Sequence, residues 1–209
     1  MKVTDIETYC WKAAIRGMRN AKESWALSDS DGEKLGAKDR ELMLKLARGG
    51  SSDRKFMRML IVTMDITAMQ PWWSEFDTYK VGTVRNSCSK MHTIHKKHFT
   101  HDMFTTIGTD MIPYAGEAQM KVVETCQKLI DDYNRTGEKK YWRALIELLP
   151  EGFQLKSTVL LNYEVLAKMY RERHAHKLSE WHSFCDMIER LPNSEIILTA
   201  AGVTRKVED

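Results

Sequence analysis

The chain has 209 residues, of which 43% are hydrophobic and 29% charged. That is enough to bury a core without disulfides or a structural metal, and it argues for one domain over 1–209. Its 32 Lys and Arg against 29 Asp and Glu leave a net charge of +3, too small a basic excess for a dedicated duplex-nucleic-acid binder.

Trp11, Ala13, Ala14, Ile15 and Met18 recur at helical spacing and predict a helix over 8–19. A polar, glycine-containing loop follows from Ser28 to Gly36, then a helix through Leu42, Leu44, Leu46 and Ala47 that stops at Gly49-Gly50. Phe56 to Ile66 is short and β-branched, which favours a mostly buried strand. Pro71-Trp72-Trp73 opens a helix that continues to Phe76. Tyr79 to Val84 turns β-like and Arg85 to Lys90 is polar. Met120, Val122, Val123, Cys126, Leu129 and Ile130 form a helical stripe within 118–133. A further helix over 139–149 ends at Pro150-Glu151-Gly152. Ser157 to Arg173 reads as one long helix, and a last helix spans about 177–190 and stops before Pro192. The charged tail Thr204 to Asp209 is expected to fray. The expected architecture is α+β, mostly helical, with a small antiparallel sheet.

No apolar run approaches the roughly 18 residues of a membrane span. The sequence Met1-Lys2-Val3-Thr4-Asp5 lacks the apolar core of a signal peptide, so a cytoplasmic protein is expected. The chain is rich in large, soft side chains, with 13 Met and 6 Trp against 4 Pro, suited equally to a core or a subunit interface. Cys10, Cys88, Cys126 and Cys185 are too far apart for a zinc knuckle and read as reduced thiols. Cys88 lies in the polar stretch Asn86-Ser87-Cys88-Ser89, but no sequence feature places a base beside it to make it a nucleophile.

His92, His95, His98 and His101 recur every third position. Residues at strict threes drift around a helix, so all four cannot converge on one ion, and Lys96 and Lys97 would repel a cation. A solvated polar face is expected there, and no metal site. The segment Arg171-Glu172-Arg173-His174-Ala175-His176-Lys177 is dense in cations and could hold a phosphate or a developing anion through the planar fork of arginine. The alternative is a solvated helix face with ion pairs. Tyr79-Lys80-Val81 followed by Asn86-Ser87-Cys88-Ser89 gathers hydroxyl, amide and ammonium groups that suit a phosphate or a pyrimidine edge, or an ordinary turn.

Together these segments resemble the flavin-dependent thymidylate synthases, over about residues 40 to 192. The family's hallmark is Arg-His-Arg, seven residues, then Ser. Here the matching stretch is Tyr79-Lys80-Val81, seven residues, then Ser89, with Asn86 also kept. Lys80 is the cation that remains of the triplet. A second signature is Leu-Pro, an Asn twelve residues on and an Arg eleven further, reproduced by Leu149-Pro150, Asn162 and Arg173. The family's Arg before Leu-Pro falls on Ile146, one turn from Arg143, and its Glu-His before the first strand falls on Asp53-Arg54. His176 and Glu180 match a later His and Glu if one gap is allowed. Strings such as Gly17-Met18-Arg19-Asn20 and Trp72-Trp73-Ser74-Glu75-Phe76 resemble phage- or Firmicutes-type relatives.

The resemblance implies methylation of dUMP to dTMP, with methylenetetrahydrofolate, reduced FAD and NADPH. Arg173 would stabilise charge on the uracil ring and act with Ser89 as the catalytic pair. Lys80, Asn86, Asn162 and His176 would bind the flavin, and Ser87, Ser89, Arg85 and Arg173 the nucleotide. The family implies a homotetramer whose partner ligand is a pyrimidine nucleotide. Loss of Arg-His-Arg keeps two alternatives: a related one-carbon transfer to a pyrimidine nucleotide for phage DNA modification, or a non-catalytic nucleotide-binding relative.

Overall fold

The computed structural model describes residues 1–32, 34–106, 108 and 110–203. The charged tail 204–209 lies outside the described residues. The chain opens with strand β1 (Lys2–Tyr9), and Cys10, in the left-handed conformation at φ 68°, turns it into helix α1 (Trp11–Arg19). Helix α2 (Ala37–Ala47) and a 3-10 turn (Asp53–Arg58) precede strand β2 (Ile61–Met69) and helix α3 (Gln70–Phe76). Strand β3 (Val84–Ser87), the short α4 (Lys90–Thr93), α5 (Pro113–Thr136) and α6 (Lys139–Leu148) follow. Strand β4 (Gln154–Asn162) runs directly into α7 (Tyr163–Arg173), and α8 (Ser179–Glu189) and α9 (Glu195–Ala201) close the chain. Among the described residues the strands make one small antiparallel sheet in the order β1-β2-β4-β3. The architecture is α+β and mostly helical, as expected.

Four segments differ from the sequence reading. The helix predicted from residue 8 begins at Trp11, because residues 8 and 9 complete an exposed edge strand whose polar face shows no clean alternation. Phe56 lies within a 3-10 turn that runs to Arg58, and the strand starts only at Ile61. From there Val62, Met64, Ile66 and Ala68 are buried on one face, a period of two. The strand expected over Tyr79–Val84 forms instead at Val84–Ser87, because Gly82 at φ 80° breaks extended pairing before it. The predicted helix Ser157–Arg173 is a strand followed by a helix. Ser157, Val159 and Leu161 are buried in alternation, and Asn162 is extended at φ −128°, ψ 165°.

The chain packs as two compact units. The first comprises Met1–Lys2, Ile66–Asp77 and Asn86–Ser157. Proline suits the first turn of α3, and the helix then buries Trp72, Trp73 and Phe76. Trp73 satisfies its indole N–H on the Leu155 carbonyl at 3.0 Å. Phe99, Phe104 and Phe153 form a second aromatic cluster with centroids 5.6–5.7 Å apart, and α5 packs along α6.

The second unit comprises Val3–Asp65, Thr78–Arg85 and Thr158–Asp209. Here α7 and α2 pack on α9, burying Met43, Met57, Leu166, Ile196 and Ile197. Each such fully buried side chain contributes roughly 1.5–3 kcal/mol. The loop 28–36 is held down by carboxylates. The fully buried Asp39 accepts from Arg19 at 2.6 Å and from the Ser28 and Ser30 hydroxyls at 2.6 and 2.7 Å. Asp29 accepts the backbone N–H groups of Lys38 and Asp39 in the first turn of α2. The Met and Trp stock is divided: Trp72, Trp73, Trp181, Met43, Met57, Met64, Met169 and Met187 are buried in the core. Trp25, Met59, Met91, Met111 and Met120 remain exposed.

Candidate functional site

In the second unit, the last turn of α7 presents Arg173 to Tyr79, ninety-four residues away in sequence. Arg173 Nε donates to the Tyr79 hydroxyl at 2.8 Å, and that hydroxyl donates to Glu172 Oε2 at 2.9 Å. The guanidinium lies 5.5 Å from the Tyr79 ring centroid and 5.0 Å from that of Trp181. Both rings therefore hold the cation through their π faces. His176 lies edge-on to Trp181 at 6.4 Å, its Nδ1 accepting the Leu178 N–H at 3.1 Å. Burial pushes the Tyr79 hydroxyl up to about 12. The Arg173 hydrogen bond pulls it down and the Glu172 carboxylate pushes it up.

Next to this cluster, Tyr79, Lys80 and Val81 line a cavity of about 400 Å³ with Asn162, Lys168 and Arg171. Arg54 and Arg58 border it too. Asn162 is engaged structurally, since its Oδ1 accepts the Val165 N–H at 2.9 Å and caps α7. A Cβ on Gly82 would lie 2.5 Å from Asn162 Nδ2, so the positive φ of Gly82 and its missing side chain seat that amide. Lys80 is exposed, and Lys168 lies over the Tyr79 ring at 5.5 Å. Arg58 is answered by Glu164. Arg54 Nε is buried without a hydrogen-bond partner. Such a donor costs more than about 1–3 kcal/mol when it belongs to a charged group, and native structures leave few. The chemistry of this region is that of an anion receptor with an amide and aromatic rings beside it.

The other predicted residues lie elsewhere. Arg85 is half-buried on β3, at the end of a second-unit segment. Asn86 and Ser87 continue β3 in the first unit and are exposed. Ser89 caps α4, accepting the His92 N–H at 3.3 Å. With Cys88, Lys90, Lys97, Asp102 and Lys156 it lines a first-unit cavity of about 250 Å³. Three ammonium groups against one carboxylate give that cavity a positive balance. The structure therefore brings Lys80 and Asn162 to one cavity. It brings Arg173 and His176 to the cluster that shares Tyr79 with this cavity, and places Ser89 in a cavity of its own unit.

Cys10 and Cys88 are exposed free thiols, while burial pushes the Cys126 thiol up to about 11 and the Cys185 thiol up to about 12. His95 stacks edge-on against Tyr133 at 5.3 Å, and His101 lies 3.8 Å from Asp110. No group of three or more His, Cys, Asp or Glu side chains among the described residues is placed to hold a metal ion. No helix of the described residues is long and apolar enough to cross a membrane. Arg143 pairs with Glu147 on the exposed face of α6.

Sequence reasoning missed Tyr79, Glu172 and Trp181 as a set, and Arg54 and Arg171 as cavity residues. Arg171 and Glu172 stood in the flagged cationic segment, but nothing local links that segment to Tyr79 or Arg54.

No family profile matches the sequence, and no curated protein does. The fold, by contrast, matches solved structures along its whole length. Thymidylate synthase X from Helicobacter pylori, solved with FAD and dUMP, superposes with a TM-score of 0.74 over 96% of this chain and 99% of that one, at 14% identity. A second structure of the flavin-dependent enzyme from that organism, complexed with FAD and dUMP, gives 0.71 over 98% and 100%, at 16% identity. The chain has the fold of these flavin-dependent thymidylate synthase structures, at 14–16% identity.

Proposed function

We propose that the protein is a flavin-dependent thymidylate synthase-like enzyme that methylates dUMP to dTMP, the whole chain acting as one such domain. The observation that carries this reading is the joint placement of Asn162, at the cavity beside Tyr79-Lys80-Val81, and Arg173, clamped by Tyr79, on a fold of that class. The residues fit an anionic dinucleotide by charge. Lys80, Lys168, Arg54 and Arg171 border the cavity, and the buried Arg54 Nε lacks an acceptor within the protein. FAD, when bound and reduced, would carry a methylene from methylenetetrahydrofolate to uracil C5, with NADPH as reductant.

The protein's own contribution is position and charge. Arg173, oriented by the Tyr79 hydroxyl and packed against the Tyr79 and Trp181 rings, would stabilise negative charge on uracil as C5 becomes nucleophilic. Asn162, fixed by its capping bond, would present its amide to the flavin ring, with His176 supporting Arg173. Lys80 and Asn86 complete the proposed flavin contacts. Ser89, Ser87 and Arg85 would hold the nucleotide phosphate or the base edge. The reading includes a homotetramer in the cytoplasm.

The test is direct. The purified protein should be yellow, or take up added FAD, and should bind dUMP. Arg173→Ala should cut dUMP-dependent oxidation of the reduced flavin by about 100-fold or more, the scale for one electrostatic donor. A colourless protein that takes up no FAD, or an unchanged rate in Arg173→Ala, would overturn the assignment. One observation favours a second reading, a non-catalytic nucleotide-binding relative: Tyr79 is buried and Val81 is 89% exposed where the family has arginines. Binding of dUMP without any flavin would support it. A related one-carbon transfer to another pyrimidine nucleotide would appear as flavin turnover with that nucleotide in place of dUMP.

A further inference from the structure

A second cavity of the same unit, about 640 Å³, is roofed by α9 and walled by α2, α7 and the 3-10 turn before β2. Its charged lining is Arg40, Arg48, Arg54 and Arg171 against the single carboxylate of Glu195. Arg40 Nε is answered by Glu195 at 2.7 Å. No carboxylate among the described residues pairs with Arg48, Arg54 or Arg171, and Arg54 Nε is buried with no acceptor. Arg54 and Arg171 face both this cavity and the one beside Lys80.

We propose that this cavity binds a diphosphate group, held by Arg48, Arg54 and Arg171. Three guanidinium groups without a carboxylate partner line one cavity from the end of α2, the 3-10 turn and α7, and a multiply charged anion could answer all three. A diphosphate presents oxygens to several planar forks at once, the geometry for which arginine is suited over lysine. The buried Nε of Arg54 gains the acceptor that the protein does not supply. The remaining walls, Leu44, Leu198, Ala200 and Ala201, are apolar and enclose a volume suited to a small molecule. The near-neutral net charge of the chain likewise argues against a nucleic-acid strand. The diphosphate could come from the dinucleotide cofactor, in which case these arginines take over the flavin grip that Tyr79-Lys80-Val81 lacks, or from a free nucleotide. The first source rests on the function proposed above; the site itself does not.

Calorimetric titration of the full chain with inorganic pyrophosphate, and with inorganic phosphate for comparison, tests the site. Pyrophosphate should bind about tenfold or more tighter than phosphate, and Arg54→Gln should weaken it by a similar factor. Arg48→Gln, at an exposed position, repeats the test should Arg54→Gln fail to fold, with thermal melting as the control on both. Pyrophosphate binding no tighter than phosphate, or undiminished in the folded variants, would overturn the proposal. FAD and riboflavin, followed by flavin fluorescence, separate the sources. Weaker FAD binding in Arg54→Gln with riboflavin unaffected supports the site with the cofactor as its source. Loss of pyrophosphate binding in a protein that takes up no flavin supports the site with a free nucleotide as its source, while removing the enzyme reading.

Discussion

Tyr79 joins the two halves of the candidate site: its ring and hydroxyl fix Arg173, and it lines the cavity that Asn162 borders. Burial, more than its charged neighbours, pushes the Tyr79 hydroxyl up to about 12. A raised value means that folding favours the neutral phenol. Its stabilisation is complete below the unfolded value of about 10 and is lost as pH rises through about 12. The tyrosinate absorbance of wild type minus that of Tyr79→Phe should therefore show one phenol titrating near 12. A difference curve centred with the exposed tyrosines would contradict the buried placement. The family resemblance singled out Arg173 and Asn162 as candidates, because the signature that carries it is local. It could not find Tyr79 as the partner of Arg173, since a hydrogen bond across ninety-four residues leaves no periodic trace.

Among the elements, α2 shows how a polar loop is fixed without a core of its own. Asp39 sits at 0% exposure with Arg19 and two serine hydroxyls on its carboxylate. Burial alone would raise its carboxyl, but the hydrogen bonds from Ser28, Ser30 and Arg19 and the Arg19 charge hold it below the usual range. The stability it lends is present above the unfolded value of about 3.9 and is lost as pH falls through its lower folded value. Asp39→Ala should cost about 3–5 kcal/mol, because it strands a buried guanidinium. Urea unfolding at neutral and acid pH checks this: the variant should be weaker at neutral pH, and the gap should close on acidification. A variant as stable as wild type at neutral pH would show the ion pair to be dispensable. Element type was legible wherever one period ruled, as in α5 and α6. The boundary between β4 and α7 was not legible. The run Val159-Leu160-Leu161 suits either period, and no Gly or Pro separates the strand from the helix. Only the Asn162 cap marks the change.

For the molecule as a whole, the expected assembly is four copies. Met111 at 81% and Tyr114 at 76% exposure leave apolar surface at the start of α5, the kind of surface that oligomer contacts cover. Light scattering across protein concentrations should give four times the chain mass. A single-chain mass at every concentration would remove the tetramer, and with it any shared site.

Composition and periodicity by themselves determined the class of this protein. They set a mostly helical α+β chain, left its tryptophans and methionines open between core and interface, and the family resemblance added the Leu149-Pro150, Asn162 and Arg173 spacing. These properties depend on neighbours within a few turns. Tertiary structure alone decided that Arg173 packs against both Tyr79 and Trp181 and that Arg54 Nε is buried without an acceptor. It also decided that arginines from α2, the 3-10 turn and α7 face one cavity. Each of these depends on segments far apart in the chain meeting in space, where burial and charge act on groups whose sequence neighbours carry no sign of it.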